Sequence, residues 1–301
     1  MEIAARGAAA LLLIAMPLAL GAYLVRHLKT GWSLFLIGAA TFVLSQVLHI
    51  PFNTHVLAPF MVQLGFETSS GPGLALAGAA VLLGLSAGVF EEGARWLVYR
   101  FWIRTARTWP KGVVFGSGHG GGEALITGLI AMATLIQLTA LRGQDLAALV
   151  PAEQLAAAQA QVEAYWGLPG WLFFFSAVER ASALAVQITL AVIVLQAFLR
   201  PRGGLWLLAA IGWHALVDAV AVFVGVSTGV YEGSISGTVV TEVLIAVMAG
   251  VSLLILFRLR PAQTAAGPGT PTPAHHTGPV PADEPDADRI EASRFADGGD
   301  R

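Results

Sequence analysis

Residues 74–107 read LALAGAAVLLGLSAGVFEEGARWLVYRFWIRTAR, an apolar run of membrane-spanning length with Glu91, Glu92 and Arg95 set inside it. About 20 apolar residues cross the hydrocarbon core of a bilayer, and charge within them is costly, so three charged side chains there need partners or a task. On a helix Glu91 lies four residues and Glu92 three residues from Arg95, so either carboxylate can pair with the guanidinium while the other faces elsewhere. Two further apolar segments answer this one. Residues 113–133 carry His119 and Glu123, and residues 205–226 carry His214 and Asp218; the i,i+4 spacing places each pair on one helix face.

The whole chain has the same character. It has 301 residues, 56% hydrophobic and 12% charged, with mean hydropathy +0.71. Soluble proteins carry about 25% charged residues, so the composition predicts an all-α polytopic bundle in a membrane. The absence of cysteine removes disulfides, thiol nucleophiles and cysteine-type zinc sites. No basic patch interleaved with aromatics predicts nucleic-acid binding, and the glycines of residues 116–122 lack the Lys-Ser/Thr ending of a phosphate loop. Residues 1–260 hold 12 acidic and 14 basic side chains, and the last 41 residues hold 7 and 3.

Seven spans follow from the hydropathy, near residues 8–25, 32–49, 74–103, 112–138, 171–199, 205–226 and 238–257. The first, despite Arg6 and its Leu-rich run, has no convincing cleavage site and reads as a retained helix. The second is expected to end at Pro51; a break in the long third would make eight. The six glycines between Gly112 and Gly122 either permit close helix contact or break the fourth span. Residues 141–170 are expected to form an extracytoplasmic cap with a short surface helix. Residues 1–257 are taken as the membrane domain and residues 258–301, rich in Pro, Gly and acidic residues, as a disordered cytoplasmic tail in which His275 and His276 are incidental. Arg and Lys cluster at residues 26–29, 100–111, 200–202 and 258–260 and are nearly missing from the alternate loops. The positive-inside rule then predicts a cell-membrane protein with its N-terminus outside and its C-terminus in the cytoplasm.

Depth relates the polar residues to one another. Glu91 lies 13 residues from Arg104, Glu123 12 from Lys111, Gln187 13 from Arg200 and His214 12 from Arg202, each about 18 to 20 Å along a helix axis. Carboxylates and imidazoles are thus expected to meet near mid-membrane. Taken singly, each pair also reads as a packing anchor; their shared depth points to a site. Imidazoles with carboxylates form the ligand set of hydrolytic zinc, and a spare carboxylate can take a proton from bound water. The HExxH spacing of soluble metalloproteases is missing. Glu179, beside Arg180, shares a face with Ala183 and Gln187 and extends the cluster away from the basic loops. His49, His55, Gln46 and Asn53 line an outer mouth or serve as loop and capping residues.

The ordered series Glu91-Glu92-x-x-Arg95, Phe115-x-x-x-His119-Gly120-Gly121-x-Glu123, Glu179-Arg180 and His214-x-x-x-Asp218 resembles the YhfC family of intramembrane metalloproteases, related to the CAAX prenyl endopeptidase and bacteriocin-processing group. The likeness covers residues 10–257. It implies that Glu91 is the water-activating base, with Glu92 and Arg95 in the same motif. It further implies that His119 and His214 hold water or metal, and that Asp218 stabilises the tetrahedral intermediate or completes the ligand set. Glu123 and Glu179 are additional acids that would join a Zn2+ ligand set. The implied activity is endopeptidase cleavage of a membrane-associated protein or peptide. Two other classes fit the same residues, a proton- or cation-coupled transporter and a noncatalytic scaffold or immunity protein. Acidic motifs that do not recur in matching halves speak against the first.

Overall fold

The computed structural model describes residues 1–69 and 71–261; of the tail expected to be disordered from residue 258, Arg258 closes the last helix, and residues 262–301, with His275 and His276, lie outside the described residues. The described residues are helical, with 3-10 and π turns at the joints. They comprise α1 (Glu2–His27), α2 (Trp32–Phe52), α3 (Ala58–Gln63), α4 (Leu74–Leu97), α5 (Trp109–Leu141), α6 (Ala152–Gly167), α7 (Phe174–Leu199), α8 (Gly203–Ser227) and α9 (Ile235–Arg258). Among the described residues seven helices are long and apolar enough to cross a membrane, α3 extending α2. The protein is a polytopic membrane bundle.

The second span does not end at Pro51. Proline removes one backbone donor without ending the helix: α2 passes Pro51 and runs through the π turn Asn53–Leu57 into α3 as far as Gln63. The third span also stays whole: α4 passes into a second π turn, Val98–Trp102, and no eighth spanning helix forms among the described residues. The glycine run does not break α5, which is continuous over 33 residues.

These glycines set how closely the helices approach. A methyl at Gly118 would lie 2.0 Å from the Phe35 carbonyl oxygen, and one at Gly38 2.1 Å from that of Phe115, so α2 and α5 touch backbone to backbone. On another face of α5, a methyl at Gly116 would meet the Ala191 Cβ at 2.7 Å, bringing α7 equally near. Gly84 and Gly88 do the same between α4 and α8, against the carbonyls of Ala215 and Ile211. Lipid chains are as apolar as leucine, so contact area and close fit, more than water exclusion, hold such helices together. α5 packs on α1, α2 and α7; α7 on α5, α8 and α9; and α4 closes over α8 and α2.

The cap expected at residues 141–170 contains α6, which has no buried residue. Its anchor is Arg6 on α1. Arg6 is 2% exposed, and its guanidinium bonds the Tyr165 and Leu168 carbonyls at 3.0 and 2.5 Å and lies against the rings of Tyr165, Trp166 and Phe173. Glu2 completes it, accepting from Arg6 at 2.6 Å and from the Gly170 amide at 2.7 Å. An arginine that reads as the basic start of a leader is thus the rivet between the first helix and the cap.

Candidate functional site

The site lies where α4, α5, α7 and α8 meet. Glu91 and Glu92 face different ways from α4, as adjacent residues on a helix must. Glu91 Oε2 accepts from His119 Nε2 at 3.0 Å and lies 4.0 Å from His214 Nε2, so both imidazoles converge on one carboxylate oxygen. Glu92 Oε1 accepts from His214 Nδ1 at 2.7 Å. That bond fixes the ring and leaves Nε2 facing Glu91 and Asp218, whose Oδ2 is 3.5 Å away.

Arg95 is fully buried and donates to Glu92 and to the Gln187 side-chain oxygen, with Glu91 Oε2 3.7 Å distant. Gln187, on α7, spends its amide on two carboxylates: Nε2 is 3.3 Å from Glu91 Oε2 and 3.1 Å from Glu123 Oε2. One guanidinium therefore serves a pair of buried acids, and one glutamine bridges them to a third. A charge in such surroundings persists only with this density of partners.

The i,i+4 pairs do not behave alike. His214 and Asp218 do approach each other. His119 turns to Glu91 instead of Glu123, packs its ring edge-on against Phe42 at 5.4 Å, and has no partner for Nδ1 among the described residues. Glu123 and Glu179, expected to add to a metal ligand set, both bind Arg180. Glu123 reaches the centre through Gln187 alone.

Sequence reasoning left Gln46, His49 and Asn53 as mouth or loop residues and did not consider Ser86. Because α2 continues past Pro51, all four form a partly buried chain behind Glu91. Asn53 Nδ2 donates to His49 Nε2 at 3.0 Å, His49 Nδ1 to Gln46 Oε1 at 3.3 Å, and Gln46 Nε2 to Glu91 Oε1 at 3.1 Å. Ser86 Oγ donates to Asn53 Oδ1 at 2.7 Å. The readable signal was Gln46, His49 and Asn53 at helical spacing, had the helix been carried through the proline. His55 is exposed and takes no part.

A cavity of about 90 Å³ adjoins the centre, lined in part by Glu91, His214, Asp218, Gln187 and Arg180. At about 30 Å³ for each water it accommodates about three. In donor type the centre suits a divalent cation: two imidazole Nε2 atoms and two carboxylates face one space, and Glu92 backs His214 as a carboxylate backs a ligand histidine. In count it differs, since among the described residues no three His, Asp or Glu side chains stand as a metal-binding group. Glu91 Oε2 occupies the point on which the imidazoles converge.

Fold and site together define a polytopic helical membrane protein with a buried carboxylate-histidine centre. A family model described as YhfC intramembrane metalloprotease matches residues 11–245, which include every residue of that centre. An "Uncharacterized membrane protein YhfC" of Bacillus subtilis (strain 168) is 32% identical over 254 residues, covering 83% of this chain and 92% of the relative. The chain belongs to the YhfC family. No solved structure matches it.

Proposed function

We propose that this protein is an intramembrane endopeptidase acting on a membrane-associated protein or peptide, with Glu91 as the general base. The observation that carries this reading is the convergence of His119 Nε2 and His214 Nε2 on Glu91 Oε2 beside a water-sized cavity. Water in that cavity, beside His214 and Glu91, gives a proton to Glu91 as its oxygen adds to the scissile carbonyl carbon. Glu91 then returns the proton to the leaving nitrogen as the C–N bond breaks, yielding a carboxylic acid and an amine, which exchange the remaining proton to become carboxylate and ammonium. Glu92 and Asp218 orient His214, while Arg95 and Gln187 hold the two glutamates apart. A zinc ion, when bound, would be held by His119 and His214 and would supply a Lewis acid that lowers the pKa of the water. The family description and the donor types support that assignment. In the same reading the N-terminus is outside and the C-terminus cytoplasmic, which the distribution of Arg and Lys supports.

The test pairs metal content with Glu91→Gln. Protein purified gently from membranes should carry one zinc per chain, lost in His119→Ala and in His214→Ala. Glu91→Gln should remain folded and lose hydrolysis. Metal-free wild-type protein that moves protons across vesicles would instead favour the transport reading of the same carboxylates.

A further inference from the structure

The catalytic centre is buried unevenly between the two ends of the bundle. α7 runs toward the basic loops, and its cavity-lining residues extend from Gln187 back through Val186, Ala183 and Arg180 to Glu179, all toward the opposite end. α8 runs the other way, and its lining residues climb from His214 through Asp218 to Ala221, toward that same end. Exposure follows the same order. The side chains of Asp218, Glu179, Glu123 and Arg180 are 39%, 28%, 23% and 16% exposed, against 8% for Glu91, 4% for His214 and none for Glu92 and Arg95.

Below the centre, toward the basic loops, Tyr99, Val114, Phe115, Leu190, Val194 and Leu195 are all fully buried and pack into one apolar plug. At the opposite end a second cavity of about 700 Å³, lined in part by Leu83, Val222, Val226 and Tyr231, opens between α4 and α8. Leu83 stands eight residues before Glu91, and Val222 four after Asp218, so this wider space begins one to two turns beyond the centre.

We propose that the centre is served only from the end of the bundle opposite the basic loops, so that its substrates are peptide segments presented on that face or in the adjoining half of the bilayer. Among the described residues the apolar plug stands between the basic-loop face and Glu91, so a tail presented on that face is excluded. Substrates of this class follow from the Glu91 reading of the site; the direction of access does not depend on it. In the orientation proposed above, that face is extracytoplasmic.

The chain contains no cysteine, so single-cysteine variants need no prior background change. Ala183→Cys and Ala221→Cys line the cavity at partly exposed positions, whereas Gln154→Cys and Thr105→Cys mark the opposite and basic-loop faces. Cells expressing each full-length variant are treated with a membrane-impermeant cationic methanethiosulfonate, before and after permeabilisation, with labelling after unfolding as proof that each thiol is present. The cavity variants should label under the same condition as Gln154→Cys and not under that of Thr105→Cys. Labelling that follows Thr105→Cys overturns the direction, as does protection of both cavity variants from either side in the folded protein. Neither outcome touches the hydrolysis assay, and loss of hydrolysis in that assay does not touch the labelling.

Discussion

Replacing Glu91 by Gln keeps a planar group that Gln46 and His119 can still contact, and leaves Arg95 paired with Glu92. The variant is expected to fold and to lose about 10²- to 10⁴-fold in turnover, the range for removing a general base. Glu92→Gln is different, because it removes the negative charge that neutralises the buried Arg95 and backs His214. Breaking a buried pair costs about 3 to 5 kcal/mol, so thermal unfolding in detergent should show Glu92→Gln clearly less stable than Glu91→Gln. On α8, Asp218→Asn keeps a hydrogen-bonding group beside His214 Nε2 and should preserve metal content and most activity, while His214→Ala should lose both. Zinc and cleavage that survive His214→Ala but vanish in Asp218→Asn would make the aspartate the ligand and the histidine its support. Much of this centre was legible as charge at one depth in apolar sequence. The division of partners was not: Arg95 pairs with the nearer glutamate, Gln187 bridges three groups, and His119 ignores the carboxylate four residues on. Those choices come from which helix faces which, and spacing within one helix does not encode that.

At the scale of elements, glycine decides the fit of α5 between α2 and α7. Gly118→Ala places its methyl against the Phe35 carbonyl, which cannot move without moving α2. Overpacking of this kind costs about 1 to 3 kcal/mol, and it should also disturb His119 one residue away, lowering activity together with melting temperature. Gly93→Ala is the contrast, since nothing lies within 4 Å of its added methyl. A mid-helix glycine is about 1 kcal/mol worse than alanine, so that variant should be neutral or slightly more stable. Thermal unfolding of the two variants side by side checks the pair. The sequence allowed either close contact or a broken helix in the glycine run, because glycine serves both; only the neighbours across the interface decide. Pro51 misled for a related reason. Its missing donor costs one helix bond, and packing against neighbouring helices lets α2 run on through it.

For the molecule as a whole, hydropathy anticipated seven crossings, and the structure has seven helices fit to make them among the described residues. Reporter fusions at Arg107 and Arg260 should read cytoplasmic and one at Gln154 external; an external Arg107 with a cytoplasmic Gln154 would invert the orientation. Arg6→Ala removes the rivet of the cap and is expected to speed proteolysis within residues 141–170 without changing the membrane content of the protein. Intramembrane hydrolysis at Glu91 is tested most directly by mapping peptide N-termini in membranes of cells that express the wild-type chain or Glu91→Gln at equal levels. New termini from membrane-associated proteins should be present with the wild type and missing with the variant. The same set of termini in both, with both proteins folded in the membrane, would contradict it.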